Sequence, residues 1–246
     1  TKIYTLSLHD ALPIFSNKTK LLYDSPLLAS MADASAIKWS AASTLQIESL
    51  EHRNGTIEQS VLLSLNQPFD DELGMEGYQL DILASNVVLS ANTPAGIRYG
   101  LQTIGQLLDA TTDAKISCAT IVDFPRFSYR GMHLDVSRHF MPVSLIYTLL
   151  DELEQHKMNV FHWHLVDDQG WRIEIKKYPK LTEVGAWRED RSDLHWNDRP
   201  LSKKDALKNI GGFYTQDEIR AVVAYASQKN ITVIPEIGRA SCRERV

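Results

Sequence analysis

Apolar positions alternate with others at residues 61–65 and 78–82, the two-residue period of half-buried strands. Residues 87–91 are a further strand candidate. Asn92-Thr93-Pro94 then makes a turn in which Thr93 can cap a helix starting just after it. From 95 to 108, Ile97, Leu101, Ile104, Leu107 and Leu108 fall on one stripe, which predicts an amphipathic helix. Residues 15–123 therefore read as a small α+β domain of short strands and one helix, with no catalytic spacing in it.

The rhythm changes at Asp123-Phe124-Pro125-Arg126, which marks a domain boundary. Residues 131–136 are an apolar strand interrupted by His133 and Asp135. A helix starts at Pro142 and runs to about Lys157, with Leu145, Leu149, Leu150 and Leu153 inward. Residues 159–166 form a second strand, and a loop rich in Trp and Arg fills 167–214. Thr215 with Glu218 three residues on is a capping box, opening a helix to about Lys229. Residues 231–237 are a third strand. Strands this continuously apolar, alternating with helices, predict parallel βαβ units over 124–237.

Composition changes this picture little. The 246 residues are 43% hydrophobic and 23% charged, with a formal net charge of -5. No basic patch with interleaved aromatics is present, so nucleic acid is not an expected partner. No apolar run is long enough to span a bilayer. The ends matter more. The peptide TLSLHDALPI (5–14) and the closing GRASCRERV (238–246) can be encoded by opposite strands of one short DNA. Ligated sequencing adapters produce that relation, so residues 1–14 and 238–246 read as adapter-derived and the native ends as lying elsewhere. Cys242 falls in that tail, leaving Cys118 as the one native cysteine and no internal disulfide.

In parallel α/β folds, chemistry gathers at the carboxyl ends of the strands. The first strand ends in Asp135-Val136-Ser137-Arg138-His139-Phe140, the second in His162-Trp163-His164-Leu165-Val166-Asp167-Asp168, and the third holds Pro235-Glu236-Ile237. Acidic, imidazole and guanidinium groups beside Trp163 and Trp171 suit a sugar, whose faces are apolar and whose rim donates and accepts hydrogen bonds. His162 and His164 share a strand face, so a metal-dependent hydrolase is a competing reading. Asp167 and Asp168 point to opposite faces and cannot jointly embrace one bond. His133 and His139 read as structural histidines, Trp163 as interior, and Asp135 as a partner of local backbone or arginine. The acceptor triplet Asn54-Gly55-Thr56 is too common to carry weight.

YRGMHLDVSRHF, NVFHWHLVDDQGWRIEI and ITVIPEI resemble the first three barrel strands of the family 20 glycoside hydrolases. KYPKLTEVGAWR and GGFYTQDEIRAVVAYASQKN resemble the intervening loop and second helix of that family. EGYQLDI and NTPAGIRYGLQTIGQLL are similar to the small α+β domain that precedes the barrel in these enzymes. The resemblance implies an α/β fold in which the small α+β domain precedes the first three strands of an incomplete (β/α)8 TIM barrel. It implies a parent β-N-acetylhexosaminidase acting on glycan or chito-oligosaccharide ends, periplasmic or secreted, with no cofactor and no metal. Arg138 then matches the arginine that grips sugar hydroxyls, Asp167 an aspartate in a relay supporting the acid/base glutamate, and His164 a neighbour lining the site. Glu236 precedes a family segment replaced here by the tail; it stays open between substrate binding, catalytic support and structural pairing. The acid/base glutamate and amide-orienting aspartate belong to a later strand, so this chain is expected to be inactive and to fold poorly alone. A non-catalytic sugar-binding relative is the remaining alternative.

Overall fold

Alternation at residues 78–82 places Tyr78, Leu80 and Ile82 on one side of a strand, where all three are buried, while Gln79 and Asp81 face the other way. In the computed structural model, residues 2–5, 15–16, 18–42, 45–109, 116–191, 194–195 and 207–238 are described. They form two units, Thr1–Ser128 and Tyr129–Val246.

The first unit is a seven-stranded mixed sheet with two helices. In chain order its strands are β1 (Lys2–Thr5), β2 (Lys20–Tyr23), β3 (Glu48–Glu51), β4 (Ser60–Leu65), β5 (Tyr78–Ile82), β6 (Val87–Ala91) and β7 (Ala119–Asp123). They lie side by side as β1-β7-β5-β6-β4-β2-β3. Helices α1 (Ala29–Ala42) and α2 (Pro94–Asp109) complete the unit. Of the segments read as adapter-derived, 6–14 and 239–246 lie outside the described residues, as does Cys242, whereas β1 pairs antiparallel with β7. Cys118 is buried and unbridged.

Helix α2 follows its predicted stripe: Ile97, Leu101 and Ile104 are buried, with Leu107 and Leu108 packed at the margin. The expected single helix is a correction, because α1 is a second one. Its sequence ASMADASAIKWSAA is Ala- and Ser-rich with no clear apolar stripe, so periodicity could not reveal it, yet it buries Met31, Ala32, Ala36 and Trp39. Strands β2, β3 and β7 also escaped the pattern: β2 and β3 are only four residues long, and β7 shows no regular alternation of buried and open positions. Helix α2 lies close to its neighbours through glycine. A Cβ at Gly96 would sit 2.2 Å from the Gly77 carbonyl oxygen, a backbone atom that cannot swing aside. Gly96→Ala is therefore expected to destabilise the first unit by roughly 1–3 kcal/mol through overpacking, despite alanine's better helix propensity. Chemical denaturation checks this, and an unchanged midpoint would refute it.

The second unit centres on three parallel strands, β8 (Gly131–Asp135), β9 (Val160–Asp167) and β13 (Thr232–Ile237), with β9 in the middle. Helices α3 (Val143–Gln155) and α5 (Gln216–Gln228) connect them, and Thr215 and Glu218 form the predicted capping box. Both helices stop on a left-handed residue, Lys157 at φ 56° and Asn230 at φ 59°. The Met158 and Ile231 amides then reach back to the Leu153 and Ala226 carbonyls, a Schellman closure that turns the chain into the next strand. The inward stripe of α3 keeps the expected Leu150 and Leu153, with Leu149 packed at its margin, but takes Ile146 in place of Leu145. Ile146, Leu150 and Leu153 are buried, while Leu145 is exposed, because the 146/150/153 spacing faces the sheet more squarely.

Within the predicted loop, β10 (Gly170–Trp171) folds back on β9, a short helix α4 (Lys180–Glu183) follows, and β11 (Trp187–Arg188) pairs with β12 (Ile210–Gly211). Phe161, Trp163 and Leu165 of β9 pack into one cluster with Ile146, Leu150, Val222 and Ala226. Alternate β9 residues must then lie on the opposite face of the sheet. That face carries the site.

Candidate active site

Register brings the polar residues into rows. His133 is opposite His162, which is opposite Ile234; Asp135 is opposite His164, which is opposite Glu236. All share the face away from the helices, because paired residues on neighbouring strands point the same way. Arg138 follows from the turn beyond β8 and leans back over this array.

Arg138 is held from two sides. Its Nη1 lies 2.7 Å from Asp135 Oδ2 and its Nη2 lies 2.7 Å from Asp167 Oδ2. Asp135 Oδ1 also accepts the Ser137 and Arg138 amides, which shapes the turn carrying the guanidinium. Burial raises the Asp135 pKa, but the Arg138 hydrogen bonds and charge outweigh it, so its carboxyl sits below the ordinary value. Asp167 Oδ1 accepts the Asp168 amide. The Asp168 side chain is exposed; strict alternation would put Asp167 on the face of Trp163 and Leu165, and the register shift between Glu236 and Ile237 brings it to the His164 side instead.

His164 is buried between two carboxylates. Its Nδ1 is 2.9 Å from Glu236 Oε2, and its Nε2 is 3.2 Å from Asp167 Oδ2 without a hydrogen bond forming there. Glu236 Oε2 also lies 2.8 Å from His162 Nε2 and 3.6 Å from His133 Nε2. Arg138, Asp167, His164 and Glu236 are thus brought into one continuous chain of contacts, with Asp135, His162 and His133 joining them. Trp163 is fully buried. Trp171 is tied to the loop through its Nε1 donating to the Ile173 carbonyl at 2.7 Å.

Sequence reasoning missed Arg172, which is fully buried. Its guanidinium donates to the carbonyls of Val136, Ser137, Ala186 and Gly212. Those carbonyls come from the turn beyond β8 and from the two sides of the β11–β12 pair. Burial pulls its pKa down to about 10, with the Arg188 charge adding to the effect. The only signal available in sequence was its place beside Gly170-Trp171, which gives no hint of burial. Gly170 leaves it room: a Cβ there would sit 2.3 Å from the guanidinium.

Two family models match the chain. "Glycosyl hydrolase family 20, domain 2" spans residues 7–124, and "Glycosyl hydrolase family 20, catalytic domain" spans 127–241. A β-hexosaminidase of Vibrio furnissii is 42% identical over 178 residues, covering 72% of this chain and 28% of the relative. An N,N'-diacetylchitobiase of Vibrio harveyi is 38% identical over 175 residues, covering 69% and 20%. Among solved structures, an exo-β-N-acetylglucosaminidase from Vibrio harveyi in complex with N-acetylglucosamine gives a TM-score of 0.73 at 34% identity, over 91% of this chain and 33% of that one. An N-acetyl-β-hexosaminidase from Streptomyces plicatus gives 0.77 at 28%, over 97% and 44%. The chain spans 28%, 26% and 23% of the length of three curated relatives that it matches.

Proposed function

Because this chain belongs to glycosyl hydrolase family 20, we propose that it is part of a retaining exo-β-N-acetylhexosaminidase that removes terminal N-acetylglucosamine or N-acetylgalactosamine from glycans by substrate-assisted catalysis. The observation that carries this reading is the Arg138 clamp. The guanidinium is pinned by Asp135 and Asp167 yet its side chain is 47% exposed, so it presents a fixed fork to whatever approaches the strand ends. A planar donor fork suits two adjacent hydroxyls of a pyranose.

In this reading Arg138 fixes the terminal sugar, and Asp167 orients both Arg138 and His164. The 2-acetamido carbonyl of the substrate attacks the anomeric carbon from within, in place of a protein nucleophile. A glutamate protonates the leaving oxygen and an aspartate polarises the amide. We assign those two groups to later parts of the parent barrel, outside these 246 residues. The incomplete (β/α)8 barrel, and the inactivity of this chain by itself, belong to the same proposal.

An aryl β-N-acetylglucosaminide distinguishes the readings. The isolated chain should give no release above a blank, whereas the full-length parent should turn over and yield the β-anomer first by NMR. An α-anomer as first product would rule out retention. A full-length parent that binds N-acetylglucosamine without cleaving the glycoside would establish the sugar-binding alternative instead.

A further inference from the structure

In the turn that carries Arg138, the amide and the carbonyl of Val136, Ser137 and Arg138 are all bonded to protein. The Val136 amide donates to the His164 carbonyl at 3.2 Å, and the Ser137 and Arg138 amides donate to Asp135 Oδ1 at 3.0 and 3.1 Å. The three carbonyls are taken by guanidinium groups. Arg172 Nε donates to Val136 at 2.9 Å, Arg172 Nη2 to Ser137 at 2.8 Å, and Arg188 Nη2 to Arg138 at 2.6 Å. Ser137 is itself fully buried, its Oγ donating to the Gly170 carbonyl at 2.9 Å.

We propose that Arg172 and Arg188 are positioning residues for sugar binding, fixing the 136–138 turn so that the Arg138 fork meets the substrate at one height and angle. The proposal rests on the reading of Arg138 as the group that grips the terminal sugar. Asp135 and Asp167 hold the Arg138 guanidinium, whereas Arg172 and Arg188 hold the backbone from which it grows. A fork held only at its tip still shifts with its backbone, and binding groups work only within about half an ångström of the productive geometry.

A turn needs no such partners in order to fold, because water satisfies open carbonyls at little cost. Here two like charges are set close together instead. Burial first, and the Arg188 charge second, pull the Arg172 pKa down to about 10, so the arrangement opposes folding. Local costs of this kind concentrate at functional sites. What a guanidinium provides and water does not is a fixed point. Arg172 is fully buried and also bonded to the Ala186 and Gly212 carbonyls, and Arg188 lies on β11, which pairs with β12. The turn is thereby referenced to the β11–β12 pair, which lies outside the three parallel strands.

A double-mutant cycle in the full-length parent tests this, read as kcat/KM toward an aryl β-N-acetylglucosaminide. Displacing a binding group by about 1 Å costs up to about 10²-fold, and water partly replaces the half-buried Arg188, so Arg188→Ala should cost roughly tenfold. With Arg138→Ala already in place, the same change should cost less than about twofold, because the group it positions is gone. Arg188→Lys should recover most of the loss, since one carbonyl needs only one donor. Arg188→Gln gives a second, milder variant for the same cycle should Arg188→Ala fold poorly. Equal losses in the two backgrounds would mean a merely structural role and would overturn the proposal, as would an Arg188→Ala parent of full activity. An Arg138→Ala parent of full activity would overturn this proposal together with the reading of Arg138. A sensitive Arg138 with equal Arg188 losses would overturn this one alone.

Discussion

Arg172→Ala should lower the stability of the second unit by roughly 3–5 kcal/mol, the largest effect expected from any single change in this chain. Four main-chain carbonyls, those of Val136, Ser137, Ala186 and Gly212, accept from that one guanidinium, and Ala186 alone among them also accepts a main-chain amide, that of Gly212. Truncation takes the Arg172 donor from the Val136, Ser137 and Gly212 carbonyls, each costing about 1–3 kcal/mol before relaxation or water entry offsets part of it. It also opens a cavity beside Phe140, whose ring lies 5.9 Å from the guanidinium carbon. Against this stands the relief of burying no charge, which the lowered arginine pKa of about 10 expresses. The carbonyls decide the outcome, because a dipole left unpaired in the interior is not repaid by removing its partner. Arg172→Lys should fall between, since an ammonium cannot span four acceptors arranged around a planar fork. Thermal melting followed in the near-ultraviolet reads the result; a midpoint for Arg172→Ala within a degree of the wild type would sink the argument.

Arg138→Ala should have the second largest effect, on function and not on folding. In the full-length parent, kcat/KM toward an aryl N-acetylglucosaminide should fall roughly 10²–10³-fold, the loss of two charge-assisted hydrogen bonds worth about 3–4 kcal/mol together. Stability should change by less than about 1 kcal/mol, because the side chain is 47% exposed and its ion pairs with Asp135 and Asp167 are partly screened. Arg138→Lys should recover little, as a point charge does not reproduce the fork. Asp135→Asn tests the clamp separately: its amide still accepts the Ser137 and Arg138 amides through one oxygen, so a smaller loss is expected. A parent enzyme carrying Arg138→Ala that keeps activity within about threefold would show that the sugar is gripped elsewhere.

How much of this was legible beforehand depends on the kind of signal. Residues 78–82 and 87–91 were readable as strands, and their bounds coincide with β5 and β6, because alternation and turn residues both act locally. The capping box at Thr215 and Glu218 was readable for the same reason: a cap is a contact across three residues. Helix α1 was not, since alanine and serine cover it without a stripe and its burial comes from packing beneath the sheet. On α3 the inward Leu150 and Leu153 were readable but Leu145 was misplaced, because Leu145 and Ile146 are equally apolar until the sheet selects between them.

The site divides in the same way. Sequence alone determined which side chains reach the strand ends: Arg138 beyond β8, His164 and Asp167 along β9, Glu236 on β13. Strand periodicity and motif resemblance are properties of consecutive residues, and they sufficed. Tertiary structure decided what those groups do to one another. Parallel register set His133 beside His162 and Asp135 and Glu236 beside His164. It turned Asp167 toward both Arg138 and His164 and closed four carbonyls from distant turns on Arg172. Such contacts join residues up to 103 positions apart, as between His133 and Glu236, and a local pattern carries no information about distances that only the folded sheet imposes.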